Sequence, residues 1–317
     1  MRVLVTGGTG YLGRAIVAAL AARGHEVVVY ARTASRSGLP GRLVDGDVGD
    51  YDELAAAAKG CDAISHSAAL VAMWRKRPAD FNEVNVGGIE NVLRAARHLH
   101  TGRIVYTSSF LALPPSGATS PLNANEYQRT KAAADRIARR AAADGAPLIM
   151  LYPGVLYGPG PMTEGNLVGR MVADHLAGRL PGLIGADRVW SFAWVEEVAA
   201  AHATALERGT IGARYELGGE NASPRRLFEH VRDLTGRPLP RQLPHWQASL
   251  AARASELWAR TTGHPPALTR GTLAILERDW PLESRTAVAE LAYHVVPLAD
   301  GVGRLLSHLD NVPIRRS

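Results

Sequence analysis

A glycine-rich segment near the N-terminus constrains the fold of this chain most. Residues 7–13 read Gly-Gly-Thr-Gly-Tyr-Leu-Gly, between a short apolar strand predicted at 2–6 and a helix predicted at 11–23. Glycines permit a tight turn and a close backbone approach to a phosphate, and a helix N-terminus offers amide donors with a partial positive charge. A glycine triplet is informative only in this strand-to-helix setting. There it predicts a dinucleotide-binding loop made by Gly7, Thr9, Gly10, Tyr11, Leu12 and Gly13.

Strands and helices alternate along the first half of the chain. Apolar runs predict strands at 2–6, 26–30, 42–45, 62–65, 103–107 and 147–151, and helical periodicity predicts helices at 11–23, 50–58, 80–99 and 126–144. Such alternation predicts an α/β fold, a Rossmann-type doubly wound parallel sheet. We therefore expect a dinucleotide-binding domain at residues 1–155.

After residue 152 the pattern loosens into a loop rich in proline and glycine. Helices are predicted at 166–178, 195–207, 224–235, 246–262 and 284–291. We expect residues 156–317 to form a smaller C-terminal substrate lobe, with interleaving into the core left open.

The composition narrows the function classes. The net charge is +6, but the basic residues are spread among acids and no aromatic–basic recognition motif is present, so we expect an anionic cofactor or substrate and no nucleic-acid partner. The single cysteine, Cys61, excludes a disulfide within the chain. We expect no membrane span and a cytoplasmic location, because no apolar run is long enough to cross a bilayer. The histidine spacing favours no metal site.

The end of the second strand bears on the choice of cofactor. Enzymes that use NAD usually carry an acid there for the ribose 2′-hydroxyl. This chain has Tyr30-Ala31-Arg32, followed by Arg36, and no acid. A 2′-phosphate would meet a guanidinium, so the sequence favours NADP(H), with NAD(H) as the alternative.

Tyr127 and Lys131 form the strongest catalytic pair. They are four residues apart at the start of a predicted helix and therefore share a face. A tyrosine has a pKa of about 10 and is a poor acid–base group at neutral pH. A lysine ammonium at about 4 Å would favour the phenolate by up to about 4 kcal/mol, so we expect Lys131 to bring the pKa of Tyr127 close to neutrality.

The order of the motifs resembles the extended short-chain dehydrogenase/reductase family. The matching segments are Thr6–Gly13, Asp47-Val48, His66-Ser67-Ala68-Ala69, Asn85-Val86-Gly87, Tyr106-Thr107-Ser108-Ser109, Tyr127-x-x-x-Lys131 and Tyr152-Pro153-Gly154. Members similar to dihydroflavonol reductases and to hopanoid-associated sugar epimerases resemble the chain most. The resemblance is firm from Thr6 to Gly154 and weak after about residue 222.

The resemblance implies a role for each matching residue. Ser109 would donate a hydrogen bond to the substrate oxygen, with Ser108 as its rival, Tyr127 would move the proton, and Lys131 would also hold the nicotinamide ribose. The expected cofactor contacts beyond the glycine loop are Arg32, Asp47, Val48, Ser67, Ala68, Ala69, Asn85, Pro153 and Val155. His66 is interpreted as structural, and a homodimer through the helices at 80–99 and 126–144 is expected.

Two departures from the family pattern concern the substrate. The interval from Ser109 to Tyr127 is short for the family. Trp190 stands where sugar-nucleotide epimerases commonly carry an arginine, which counts against a nucleotide-sugar substrate. Aromatic and apolar residues that could form the substrate wall are Met73, Trp74, Phe81, Tyr157, Met162, Trp190, Phe192 and Trp194.

These features predict an NAD(P)-dependent oxidoreductase that interconverts a ketone and a secondary alcohol on a small, fairly apolar molecule. Two alternatives stay open. One is a sugar or nucleotide-sugar epimerase or dehydratase with tightly bound NAD. The other is a non-catalytic NAD(P)-sensing regulator, which the presence of the Tyr127–Lys131 pair disfavours. The helix at 246–262 could lie on a membrane surface or pack on its own lobe, and packing is favoured.

Overall fold

Ten strands are found in the computed structural model, which describes residues 1–311. They are β1 (Arg2–Thr6), β2 (Glu26–Ala31), β3 (Arg42–Asp45), β4 (Ala63–His66), β5 (Arg103–Thr107), β6 (Leu148–Pro153), β7 (Val155–Tyr157), β8 (Trp190–Trp194), β9 (Arg214–Leu217) and β10 (Glu220–Ala222). Seven of them make one parallel sheet in the order β3-β2-β1-β4-β5-β6-β9. The remaining three make a small sheet in the order β10-β8-β7. The six strands predicted for the first half are confirmed, and the predicted doubly wound parallel sheet is confirmed with them.

Helices connect the strands. They are α1 (Tyr11–Ala22), α2 (Tyr51–Ala58), α3 (Ala79–Asn82), α4 (Gly88–His98), α5 (Glu126–Ala143), α6 (Leu167–Leu176), α7 (Val195–Arg208), α8 (Pro224–Thr235), α9 (His245–Thr262), α10 (Arg270–Leu276), α11 (Arg285–Leu291) and α12 (Leu298–Asn311). The helix predicted at 80–99 is interrupted, because a π-helical segment at Glu83–Gly87 separates α3 from α4. Inserted π turns are often found beside functional sites.

The pleat of the strands divides the core into two layers. In β1, Val3 and Val5 face the layer of α1, α7 and α11, whereas Leu4 faces the layer of α2, α4 and α5. Successive side chains of a strand point to opposite faces, and a parallel sheet covered on both faces needs apolar residues at every position. This requirement explains the uninterrupted apolar runs of these strands.

The strand order places a ligand crevice at one position. From β1 the chain winds outward to β3, then crosses back to β4 on the other side of β1. In open α/β sheets, ligands bind outside the carboxyl ends of the strands at such a reversal. The glycine loop leaves β1 at this point.

The second half of the chain contributes to both sheets. Helix α7 packs beside α1, and β9 pairs with β6 at the edge of the main sheet. A separate apolar cluster joins β7, β8, α6, α8, α10 and α12. Strands β7 to β10 and helices α10 and α12 were not predicted, and residues 312–317 of the expected lobe lie outside the described residues. The boundary near residue 155 stays a prediction.

Candidate active site

The loop after β1 forms a narrow backbone cradle. Gly7 has φ of +70°, and a Cβ atom there would lie 2.6 Å from the Cα atom of Ala68. A Cβ atom on Gly13 would lie 2.1 Å from the carbonyl oxygen of Gly7. No side chain caps the first turn of α1, so its amide groups stay available to a ligand. Close glycine packing beside an uncapped helix N-terminus fits a dinucleotide pyrophosphate.

The ends of β2 and β3 form the outer part of the cleft. Arg32 is exposed, lines the cleft, and makes no hydrogen bond or ion pair to any residue within 1–311. The nearby carboxylate of Asp45 is already engaged, because it accepts hydrogen bonds from the Ser35 amide at 2.8 Å and the Ser35 hydroxyl at 2.5 Å. The Tyr30 hydroxyl donates a hydrogen bond to the carbonyl oxygen of Asp47 at 2.8 Å, which links the end of β2 to the segment after β3.

Helix α5 presents Tyr127 and Lys131 to the cleft. The helix begins after Asn125, whose side chain accepts a hydrogen bond from the Gln128 amide at 2.9 Å. Lys131 lies one turn after Tyr127, and its ammonium group donates a hydrogen bond to the carbonyl oxygen of Thr107 at 2.8 Å. This bond joins α5 to the carboxyl end of β5, so the two catalytic candidates face the strand end from which Ser109 follows.

The structure separates the two neighbouring serines. Ser108 donates its hydroxyl to the buried carboxylate of Asp135 at 2.9 Å, and Asp135 also pairs with Arg139. Ser109 instead faces Tyr127, and its hydroxyl lowers the pKa of the phenol. The hydroxyl of Ser108 is therefore committed to α5, whereas that of Ser109 is placed beside the tyrosine.

The electrostatics of the pair differ from the sequence-based expectation. Burial raises the pKa of Tyr127 to about 12, and the group that lowers this pKa is Ser109 rather than Lys131. The expectation that Lys131 brings this pKa close to neutrality is therefore corrected. Burial also lowers the pKa of Lys131 to about 8, with Asp135 acting in the opposite direction. The physical reason is that desolvation penalises both charged forms.

Two predicted residues lie behind the cleft. His66 shares a hydrogen bond of 2.7 Å with the Thr6 hydroxyl, and burial lowers its pKa to about 3, so it is neutral and structural as interpreted. Asn85 is not part of the cleft wall, and its expected cofactor contact stays a prediction. Its side chain accepts from the Leu70 amide at 2.7 Å and donates to the Thr130 hydroxyl at 2.9 Å, tying the loop after β4 to α5.

The other predicted site residues meet in one cleft with a volume of about 680 Å³. Its wall includes Gly7, Thr9, Gly10, Tyr11, Leu12, Gly13, Arg32, Asp47, Val48, Ser67, Ala68, Ala69, Ser109, Tyr127, Lys131, Pro153 and Val155. The cleft begins at the β2 end, passes the glycine loop, and reaches Tyr127. The residues present thus fit a nicotinamide dinucleotide along the crevice.

Beyond Tyr127 the wall is apolar. It is formed by Phe110, Leu111, Leu156, Trp190, Ile275, Leu276 and Trp280. Among the eight residues suggested for this wall, Met73 and Trp190 line the cleft. Sequence reasoning missed Phe110, Ile275 and Trp280, because no local motif marks them. The ring of Trp280 packs edge-on against Phe110 at 5.5 Å, and its indole nitrogen donates to the Ile275 carbonyl at 3.0 Å.

The other six suggested wall residues do not line the cleft. Tyr157 packs edge-on against Trp194 at 5.2 Å and against Phe192 at 6.3 Å inside the second apolar cluster. Phe81 is buried with Leu70 in a small separate cluster. Trp74 and Met162 are also absent from the wall. Tyr157, Phe192 and Trp194 therefore serve the packing of the second apolar cluster.

Formal charges on the cleft wall are few. Among the described residues, the cationic side chains that line it are Arg32 and Lys131, and the acidic ones are Asp47 and Glu164. Neither cation belongs to the apolar end. Within residues 1–311, no group of three or more His, Cys, Asp and Glu side chains could hold a metal ion. No helix in the described part of the chain has the length and apolar character to cross a membrane.

Several curated proteins are similar to this chain, and some of them are named as reductases. The chain is 31% identical to sterol demethylase protein B of Methylococcus capsulatus over 76% of each chain. It is 29% identical to a putative dihydroflavonol 4-reductase of Synechocystis, over 90% of this chain and 88% of the relative. It is 31% identical to a 2-alkyl-3-oxoalkanoate reductase of Stenotrophomonas maltophilia, over 85% of this chain and 87% of the relative.

Solved structures share the whole architecture. The crystal structure of gox2253 matches with a TM-score of 0.81 and 32% identity over 98% of both chains. A UDP-glucose 4-epimerase of Thermus thermophilus in complex with NAD matches with a TM-score of 0.78 and 26% identity, over 98% of this chain and all (100%) of the epimerase. A sequence model of the NAD-dependent epimerase/dehydratase family matches residues 3–218. The chain is therefore an enzyme of the NAD-dependent epimerase/dehydratase family, built on the extended short-chain dehydrogenase/reductase fold.

Proposed function

We propose that this enzyme is an NAD(P)-dependent oxidoreductase that interconverts a ketone and a secondary alcohol on a small, fairly apolar molecule. One observation carries the proposal. Ser109, Tyr127 and Lys131 lie between a dinucleotide cradle and an apolar end of the same cleft, and within residues 1–311 no arginine lines that end. This arrangement supports a reaction in which a nicotinamide bound in the cradle and the proton of Tyr127 would act on a carbonyl held at the apolar end.

The chemistry of each residue follows from its placement. A bound nicotinamide dinucleotide supplies or accepts the hydride at the substrate carbon. In the reductive direction, Tyr127 gives its phenolic proton to the oxygen, so hydride and proton together convert the ketone to the alcohol. Ser109 donates a hydrogen bond to the same oxygen. Lys131, held by the Thr107 carbonyl at 2.8 Å, would donate a hydrogen bond to the ribose of the bound nicotinamide.

The apolar end favours a ketone without a diphosphate. Burying an uncompensated anion is costly, and a sugar nucleotide carries two charged phosphates. Trp190, Ile275 and Trp280 would surround that group with apolar surface, and no cation from the described part of the chain lines this end. The relatives named as reductases support this interpretation, and one of them is named for a 2-alkyl-3-oxoalkanoate.

The proposed cofactor is NADP(H). The exposed guanidinium of Arg32 has no partner within residues 1–311 and lines the outer cleft, where a 2′-phosphate would accept a bidentate hydrogen bond. The carboxylate of Asp45, at the end of β3, is held by Ser35 and is therefore not free for a 2′-hydroxyl. NAD(H) is the alternative that the test below distinguishes. The expected cytoplasmic location and the expected homodimer stay predictions.

The epimerase function is the second candidate, because the fold is similar to that of a UDP-glucose 4-epimerase. The first experiment denatures the purified protein, identifies any released nucleotide, and titrates the native protein with NADPH and with NADH. An empty or exchanging site that prefers NADPH, together with turnover of an apolar ketone from a panel, is the expected result. Tightly held NAD that does not exchange, with turnover of a nucleotide sugar, would overturn the proposal in favour of the epimerase.

A further inference from the structure

Helix α9 has its large apolar side chains on the outside. The residues that it buries against the protein are alanines, namely Ala248, Ala252 and Ala259. Its large apolar residues are exposed by 63–65%: Trp246, Leu250, Leu257 and Trp258. A helix that only packs on its own lobe buries its large apolar residues, so this arrangement indicates an external partner.

The charges of this outer face have one sign. Arg253 and Arg260 are exposed on the helix beside the apolar residues. The acidic residue of α9 is Glu256, and its carboxylate is held by the Arg270 guanidinium at 2.9 Å. The face of Trp246, Leu250, Arg253, Leu257, Trp258 and Arg260, called here the α9 face, is therefore apolar and cationic.

These features decide between two kinds of partner. A second copy docked through the same face around a two-fold axis would bring like-charged arginines together, which is unfavourable. An anionic lipid surface has the complementary charge, and its interfacial region accepts tryptophan and leucine while the headgroups accept arginine. We propose that the α9 face docks the enzyme on anionic membrane surfaces. This proposal is independent of the reaction proposed above.

The position of α9 adds a consequence that does rest on the proposed function. Helix α10 is the next element after α9. The hydroxyl of Ser255 on α9 donates a hydrogen bond to the carbonyl of Leu268, which lies in the connection between the two helices. Ile275 and Leu276 of α10 line the apolar end of the cleft. A docked α9 would thus hold the wall of the substrate site close to the bilayer, where apolar ketones partition.

The test is co-sedimentation of the full chain with vesicles. One set contains phosphatidylglycerol mixed with phosphatidylcholine, and the other contains phosphatidylcholine alone. We expect the parent protein to bind the anionic vesicles, with a blue shift of tryptophan emission, because Trp246 and Trp258 leave water. A variant with Trp246→Ser, Leu250→Ser, Leu257→Ser and Trp258→Ser should bind roughly a hundredfold more weakly.

Two further variants sharpen the result. Arg253→Glu with Arg260→Glu should abolish the preference for anionic vesicles. Leu234→Ser with Ile211→Ser removes exposed apolar side chains elsewhere, 59% and 50% exposed, and should bind like the parent. Equal sedimentation of the parent and the fourfold serine variant, or no sedimentation of the parent, would overturn the proposal. If the parent protein is an oligomer, the fourfold serine variant is a monomer, and neither sediments with vesicles, the α9 face binds a second copy of the chain instead.

Discussion

The two ends of the cleft are built in different ways. The cofactor end is built around a backbone cradle, the glycine loop between β1 and α1, with the ends of β2 and β3 beside it. The substrate end is made by side chains that arrive from distant segments, including Phe110 after β5, Trp190 on β8 and Trp280 after α10. A backbone cradle needs particular residues at particular spacings, whereas an apolar wall accepts many residues of suitable size. The residues of the cofactor end can therefore be predicted from the sequence. The residues of the substrate end can vary between members of such a family.

Tyr127 is the point where the two ends meet, so its substitution should have the largest effect. Tyr127→Phe removes the proton donor and keeps the ring. We expect kcat to fall by roughly a thousandfold, with unchanged dissociation constants for the nicotinamide cofactor. Steady-state kinetics and fluorescence titration measure the two quantities. Tyr51→Phe is the control, because Tyr51 is not part of the cleft wall. Tyr51 lies on α2, and its ring stacks with the guanidinium of Arg94 on α4. Turnover at the parent rate by Tyr127→Phe would show that another group supplies the proton.

The cofactor end should respond to a single methyl group on its backbone. Gly13→Ala would place a Cβ atom 2.1 Å from the carbonyl oxygen of Gly7. We expect roughly a hundredfold weaker binding of NADPH and NADH alike, because the loop must move away from the pyrophosphate. Gly102→Ala is the matched control, with its nearest atom 3.8 Å away. Thermal unfolding of both variants distinguishes a distorted cradle from a lost fold, and parent-like affinity in a folded Gly13→Ala protein would refute the cradle.

The difference between the ends also explains how far the sequence could be interpreted. The main sheet, the glycine loop and the Tyr127–Lys131 pair follow local rules of periodicity and spacing, whereas Ser109 was expected from the family resemblance. The glycine loop and these three residues meet in one cleft. The expected lowering of the Tyr127 pKa failed for a different reason. Helical spacing gives the distance between two side chains but not their burial, and burial dominates here.

The substrate wall could not be predicted from aromatic content. Trp190 and Trp194 lie two positions from Phe192 on the same strand, yet only Trp190 reaches the cleft. Trp194 packs against Tyr157 instead. Trp280 follows α10, a helix that the periodicity did not predict. Which aromatic ring faces the cavity depends on contacts between segments far apart in the chain, and a single sequence does not record those contacts.

A polar group in the apolar wall should alter substrate use alone. Leu276 is partly buried and lines the cleft, whereas Leu180 is partly buried in the same apolar cluster but does not. We expect Leu276→Asn to lower kcat/KM for an apolar ketone by roughly thirtyfold. The reason is that an apolar substrate would bury the new side-chain amide without a hydrogen bond, which costs about 1–3 kcal/mol. The cofactor dissociation constant should stay unchanged. Leu180→Asn controls for general loss of packing, and an equal loss in both variants would remove Leu276 from the substrate site.

The smallest effect is expected at Arg32, where the cofactor end depends on a side chain rather than on backbone. Arg32→Ser should lower kcat/KM for NADPH by roughly tenfold, since an exposed charged hydrogen bond contributes about 1–1.5 kcal/mol. Activity with NADH should not change, because the 2′-hydroxyl carries no charge for the guanidinium. Arg36→Ser is the control, since Arg36 lies in the same loop but not on the cleft wall. If Arg32→Ser leaves the ratio of NADPH to NADH activity at the parent value, cofactor choice does not depend on this guanidinium. Selection of the nucleotide would then fall to the backbone and to the other side chains of the outer cleft, such as Thr33 and Asp47.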